Sequence, residues 1–269
     1  MEIQWSLVAF TTITAAAGWL AACLAADEFL GKAKKAAFVG AIVVIVLGAV
    51  GGLASVTHLS HVENIMGAFG HPTSGIFTEA LLTVLLCAFS FIYALLIKRE
   101  AGAGARKVVA VIAGIVGIIL SFSVGMSYMM ESRPSWNTPL LPIGYLGTAI
   151  PLGVGVFMLI AKKLDAQADL SVYAKGLMVG GVLAIITCLA YGLSAGASEG
   201  GAMAMIALCV ILDGIAPLLI GLKLSKDSSD NDFTMIVVAV ICAFVGAGCF
   251  RILMWLTATP IADLFGIAI

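Results

Sequence analysis

Glu2 and Asp27 enclose a stretch without a charged side chain. The same holds between Lys35 and Glu63, Glu79 and Lys98, Lys107 and Glu131, Arg133 and Lys162, and Lys175 and Glu199. Two further stretches, 200–222 and 233–257, are interrupted once each, by Asp213 and by Arg251. About 20 apolar residues carry a helix across the hydrocarbon of a bilayer, and 62% of the 269 residues, or about 167, are hydrophobic. That is enough for about eight such helices. Only 11% are charged, against roughly a quarter in a soluble domain. The pattern predicts an all-α, polytopic integral membrane protein, a single transmembrane domain over 1–269. Its eight helices form a bundle, near 4–25, 36–58, 77–97, 107–129, 139–161, 173–195, 202–222 and 233–256. Strands of a transmembrane barrel would be about 10 residues long and would alternate. A soluble enzyme, a secreted disulfide scaffold and a nucleic-acid binder are excluded on the same grounds.

Charge placement sets an orientation. The loops after helices 1, 3, 5 and 7 carry Lys32, Lys34, Lys35; Lys98, Arg99, Arg106, Lys107; Lys162, Lys163, Lys175; and Lys223, Lys226. Only Arg133 and Arg251 lie toward the other side. Basic residues concentrate in cytoplasmic loops, so both termini are expected outside. The first helix does not read as a cleavable signal peptide, because its start is acidic and its apolar run is too long.

No loop is long enough to hold a soluble catalytic domain, and the Ser/Asp/Lys segment near 223–232 has the composition of a solvated linker. Cys23, Cys87, Cys188, Cys209, Cys242 and Cys249 all fall inside helices and form no C-x-x-C pair. They read as small packing residues and not as zinc or iron–sulfur ligands. Membrane haem would need histidines facing one another from helix interiors, whereas His58, His61 and His71 crowd around a single loop. No metal site is therefore expected.

The chemistry-bearing residues gather on the side opposite the basic loops. Helix 2 ends in Ser55-Val56-Thr57-His58-Leu59-Ser60-His61, and helix 3 opens with Phe77-Thr78-Glu79. Arg251 lies 18 residues beyond position 233 of the last helix, roughly 27 Å along it at 1.5 Å per residue. A base, an acid and a fixed cation at one depth can bind and deprotonate a quinol. The imidazole takes a hydroxyl proton, Glu79 serves as second acceptor or relay, and Arg251 holds Glu79 ionised or polarises a quinone oxygen. Each residue also has a plain structural reading. The histidine can be an interfacial cap, the glutamate a partner of the helix dipole, and the arginine a snorkelling anchor. Asp213, near the middle of helix 7 and four residues before Pro217, reads equally as a proton relay or as a neutral acid bonded to a neighbouring helix.

These residues carry a resemblance. Ser55-Val56-Thr57-His58-Leu59, Ala68-Phe69, Glu79, the Pro134-Ser135-Trp136 and Pro142-Ile143-Gly144-Tyr145 segments, and Arg251 are similar to the membrane-anchor subunit of the dimethyl sulfoxide reductase family. The family histidine is often followed by Leu-Gly. Here Leu59 precedes Ser60 and His61, which leaves open a share for His61. The resemblance implies a non-metal, quinol-oxidising subunit of a multi-subunit oxidoreductase in the cytoplasmic (inner) membrane of a prokaryote, working in anaerobic respiration. It implies menaquinol as substrate, drawn from the quinone pool among the membrane lipids, and no cofactor held by this chain. It implies an iron–sulfur (ferredoxin-like) subunit docked outside and a molybdopterin catalytic subunit beyond it. His58 and Glu79 would be the catalytic pair, with His61, Trp136 and Arg251 completing the quinol site.

Two other readings compete. A polysulfide-reductase-type anchor would share the quinone chemistry and add proton translocation through a midplane relay. A small-solute transporter would need an inverted repeat and more intramembrane charge, and no repeat is evident between the halves. The orientation is directly testable. A membrane-impermeant thiol reagent should reach cysteines placed in 59–75 from outside, and cysteines in 99–106 only after lysis. The opposite pattern would move the candidate site to the cytoplasmic face.

Overall fold

The fold was obtained as a computed structural model, which describes residues 2–57, 67, 70–71, 73–226 and 232–258. Its helices are α1 (Trp5–Leu30), α2 (Ala36–Val56), α3 (Gly75–Lys98), α4 (Ala103–Ser127), α5 (Leu140–Gly147), α6 (Ile150–Leu164), α7 (Ser171–Ser194), α8 (Gly200–Cys209), α9 (Ala216–Lys226) and α10 (Asp232–Leu256). A π-helical turn, Val210–Ile215, joins α8 to α9. Leu140–Leu164 and Gly200–Lys226 each act as one span, so eight segments are long and apolar enough to cross a membrane. An even number of crossings brings the two described ends of the chain to the same face, called here the termini face.

Proline explains both interrupted spans. A proline ring clashes with the carbonyl four residues earlier and offers no N–H to it. Pro151 stands at the start of α6 and thereby ends α5 at Gly147. Pro217 acts in the same way on Asp213, and the chain there widens into the π turn. Such breaks leave backbone groups unpaired, which hydrocarbon does not tolerate unless the protein covers them. Both breaks are covered: Thr148, Asp213 and Gly214 are all buried.

α1 is the hub, packed against α2, α4, α6 and α10. It can be central because it is small nearly all the way round: the consecutive Ala15, Ala16, Ala17 and Gly18, with Ala21, are all buried. Gly18 and Gly117 of α4 meet backbone to backbone, so that a Cβ on either would strike the other's main chain. Gly153 of α6 is likewise filled by Trp19. Lipid tails give helices no apolar reason to associate, so such close small-residue packing supplies the attraction.

The opposite, basic face is tied by polar contacts. α1 continues five residues beyond the expected end at 25 and stops at Gly31, which adopts φ 66° and donates its N–H to the Asp27 carbonyl. The Asp27 carboxylate then accepts the Lys32 and Ala33 amides at 2.9 and 3.0 Å, and the Tyr173 hydroxyl at 2.6 Å. Lys32–Asp169 and Lys35–Asp165 ion pairs, both 2.9 Å, clasp this turn to the α6–α7 loop. Lys32 and Ser171 hold the Asp169 carboxyl down at about 2, and Lys35 holds Asp165 below its usual range. The clasp is therefore present at neutral pH and lost only as the pH falls through those lowered values.

The α1–α4 crossing predicts a sharp contrast. Gly117→Leu should lower the stability of the purified protein by at least the ~1–3 kcal/mol typical of overpacking, and cut the yield of folded material. Gly104→Leu, at a position with open space around it, should melt at the wild-type temperature. Equal melting of the two variants would show that the crossing is looser than described.

Candidate functional site

α3 begins earlier than the sequence suggested. Ser74 caps it, accepting the Phe77 N–H at 3.2 Å, so Glu79 lies in the second turn and not the first. Gly75 permits this start to press on Ser127 at the end of α4. The result is a carboxyl group with 8% exposure, set beside the Ser127 hydroxyl near the termini face. A carboxyl group so placed can accept a proton from a polar ring and return it to the nearby aqueous surface.

The other wall is aromatic. Trp136, from the loop before α5, is 2% exposed and donates its indole N–H to the Met254 carbonyl at 2.7 Å. Ser135 donates to the Thr257 carbonyl, so the loop is fastened to the end of α10 at two points. Trp136 meets Trp255 edge to face at 5.3 Å, and Tyr128 packs against both. Tyr128 also stacks on Tyr145, with centroids 6.0 Å apart and planes inclined by 20°. Arg133 lies over the Trp136 ring at 4.9 Å. Such ring pairs contribute roughly 0.5–1.5 kcal/mol each beyond their buried area, and four of these rings come from four different segments.

Arg251 sits beneath this cluster with 1% exposure. Its side chain runs back along α10. Nη1 donates to the Ala247 carbonyl at 3.0 Å and to the Thr148 hydroxyl at 2.8 Å, and the guanidinium lies 4.8 Å from the Tyr145 ring centroid. Thr148 is available because the proline break stands there. Its hydroxyl donates to the Gly144 carbonyl at 2.7 Å, which leaves its oxygen to accept from the arginine. Nε and Nη2 of Arg251 have no hydrogen-bond partner. A desolvated cation with two idle donors is a ready partner for an oxygen acceptor.

Glu79 and Arg251, expected to share a depth and considered as a pair, do not form an ion pair. The reason is geometric: Glu79 faces α4, whereas the arginine turns toward α5. The stacked Tyr128 and Tyr145 stand within electrostatic reach of both. Asp213 is fully buried, and the main chain around it packs directly on Gly246 of α10. Its carboxyl group is within electrostatic reach of Arg251 but not in contact with it. His58 and His61 lie outside the described residues, as do Ala68 and Phe69; His71 is exposed. Among the described residues, no group of three or more His, Cys, Asp or Glu side chains is arranged to hold a metal ion.

Tyr128, Thr148 and Trp255 were not singled out from the sequence. Their signals were present but weak: a proline three residues after Thr148, and a high density of aromatic residues in 128–145 and 250–255. Because Trp136 fastens its loop through one buried N–H, Trp136→Phe should keep the ring packing while removing that bond; the Met254 carbonyl still accepts the Thr257 hydroxyl. Such a loss typically costs about 0.5–1.5 kcal/mol. Thermal unfolding of the purified variant measures it, and an unchanged midpoint would mean that the loop is held without this bond.

A search of curated proteins returned no match. A family model described as DMSO reductase anchor subunit (DmsC) matches residues 1–258, nearly the whole chain. This polytopic protein therefore belongs to the DmsC family of anchor subunits of DMSO reductase-type complexes.

Proposed function

We propose that the chain oxidises menaquinol at the termini face, and that this face lies outside the cytoplasm. Its setting would be the cytoplasmic membrane of a prokaryote, in anaerobic respiration. Electrons would pass to a ferredoxin-like iron–sulfur subunit docked on that face and from there to a molybdopterin catalytic subunit. Family membership supports an anchor that associates with a catalytic molybdoenzyme and electron-transfer subunits. The observation that carries the quinol reading is the pairing of unlike polar walls around the tyrosine stack. A buried carboxyl group, Glu79, stands on one side, and Arg251 with two idle donors stands on the other.

A quinol has two hydroxyl groups across one ring, and oxidation removes two electrons and two protons. Arg251, itself always a donor, would hold a ring oxygen and stabilise negative charge as the ring deprotonates. His58, or His61, would take one proton from the opposite oxygen, and Glu79 would accept the other or pass it outward. Trp136 would close the site from the loop and exclude bulk water. The electrons need no metal in this chain if the ring stands close to the partner's nearest cluster.

The assembled complex provides the test. His58→Ala and Glu79→Gln should each lose roughly 10²–10⁴-fold in quinol-driven turnover while keeping full activity with a soluble artificial electron donor. Turnover within about threefold of wild type would remove that residue from the acid–base chemistry. Because Glu79 and Arg251 share no direct contact, the losses in Glu79→Gln and Arg251→Gln should multiply in the double variant. A double variant no worse than either single one would mean that the two act as one unit through the bound quinol.

A further inference from the structure

Asp213 and Arg251 are buried to 0% and 1% exposure within membrane-spanning segments. Neither is satisfied. Both carboxyl oxygens of Asp213, and Nε and Nη2 of Arg251, lack a hydrogen-bond partner. Four idle polar atoms within electrostatic reach of one another are a costly arrangement in a medium that offers no substitute partner.

The local backbone around Asp213 is irregular and closely packed. Pro217 opens the π turn at Val210–Ile215, and Gly246 lets α10 approach the Asp213 main chain where any Cβ would collide. π turns inside α-helices occur frequently at functional sites. The titratable groups facing Asp213 are Cys188 from α7, Cys209 from α8, and Cys249 and Arg251 from α10. Tyr145 of α5 lies on the far side of Arg251. Thiols and a phenol are neutral at physiological pH, so Arg251 is the single fixed charge among these groups. The lysines of α9, Lys223 and Lys226, belong to its last turn on the basic face.

An arginine keeps its proton in a protein, and a guanidinium buried in hydrocarbon needs a compensating charge. Glu79 forms no ion pair with it and lies across the tyrosine pair, which leaves Asp213 among the described residues. A dry carboxyl group at this depth would have to carry a proton. One joined to a cation through a molecule that both donates and accepts need not, and water has that chemistry, with about three hydrogen bonds per buried molecule. We infer that Asp213 and Arg251 bound a water-holding site at the π turn, where Asp213 is the ionised counter-ion that fixes the guanidinium beneath Tyr145. Asp213 is thus a positioning residue acting through Arg251, and the assignment holds whether or not the aromatic cluster binds quinol.

Infrared spectroscopy of the purified complex tests this without measuring turnover. At neutral pH the wild type and Asp213→Asn should show no difference in the carboxylic C=O stretching region. Arg251→Gln removes the compensating charge, so Asp213 should take up a proton and a new carboxylic band should appear. That band should vanish in Arg251→Gln/Asp213→Asn and be absent from Arg251→Lys, which keeps the charge. An O–H band of buried water that shifts in H₂¹⁸O should be lost in both single variants. A carboxylic band already present in wild type and removed by Asp213→Asn would overturn the proposal and assign Asp213 the proton-carrying relay role instead. Failure of Arg251→Gln to produce a band would overturn it as well. Should Arg251→Gln not assemble, the comparison of wild type with Asp213→Asn still decides.

Discussion

Hydrocarbon offers no hydrogen bond to a bare amide or carbonyl, and every departure from regular helix in this protein is made under that constraint. Two spans break it, each at a proline, and each break is used. The gap before Pro151 frees the Thr148 hydroxyl to receive Arg251. The widened turn before Pro217 presents Asp213 toward α10. The breaks come from spans that are distant in sequence, yet α10 brings both to one arginine. That convergence depends in turn on α1, whose alanine and glycine face lets α4, α6 and α10 gather closely enough to cover the breaks.

The two faces of the bundle solve different problems. On the basic face, most of the polar groups that join elements are paired: Asp27 accepts two amides and a phenol, and lysines meet aspartates across loops, while the buried Nε of Arg106 has only the Glu28 carboxylate 3.7 Å away. The exposed ion pairs contribute little singly, but the buried Asp27 joins α1 to α7 and fixes the turn between α1 and α2. Toward the termini face, the rings are tightly packed while key polar groups are left idle. Packing that is firm around unsatisfied donors keeps them fixed in place, and preorganisation of this kind reduces the ordering cost of any association.

Much of this architecture was legible in one dimension. Uncharged runs set the eight spans because the cost of burying charge is a property of each residue alone. Pro151 and Pro217 stand inside runs read as unbroken helices, 139–161 and 202–222, and the breaks they cause were not foreseen. What else failed to read through was lateral. Helical rise gave the depth of Arg251, but not the direction of its side chain, which turns back toward Ala247 and α5. Glu79 and Arg251 were considered as a pair, but two residues at one depth can stand on either side of an aromatic stack, and sequence spacing carries no azimuth between helices. The start of α3 was placed two residues late, because it is set by the Ser74 side chain, which caps the helix at the Phe77 N–H.

Placing an arginine and an aspartate in a membrane interior is costly enough that their surroundings must account for both. The aromatic rings meet part of the demand of the guanidinium, since a desolvated cation over a tyrosine face is worth up to about 2 kcal/mol. Thr148 and Ala247 meet a further part. The remainder, three N–H groups on Nε and Nη2 of Arg251 and two carboxyl oxygens on Asp213, is opposite in kind. A fold that merely tolerated a stray charge would let it snorkel to the nearby termini face. Arg251 instead runs toward the N-terminal end of α10, the ordinary direction of a long helical side chain, and is held there by the Ala247 carbonyl, the Thr148 hydroxyl and the Tyr145 ring.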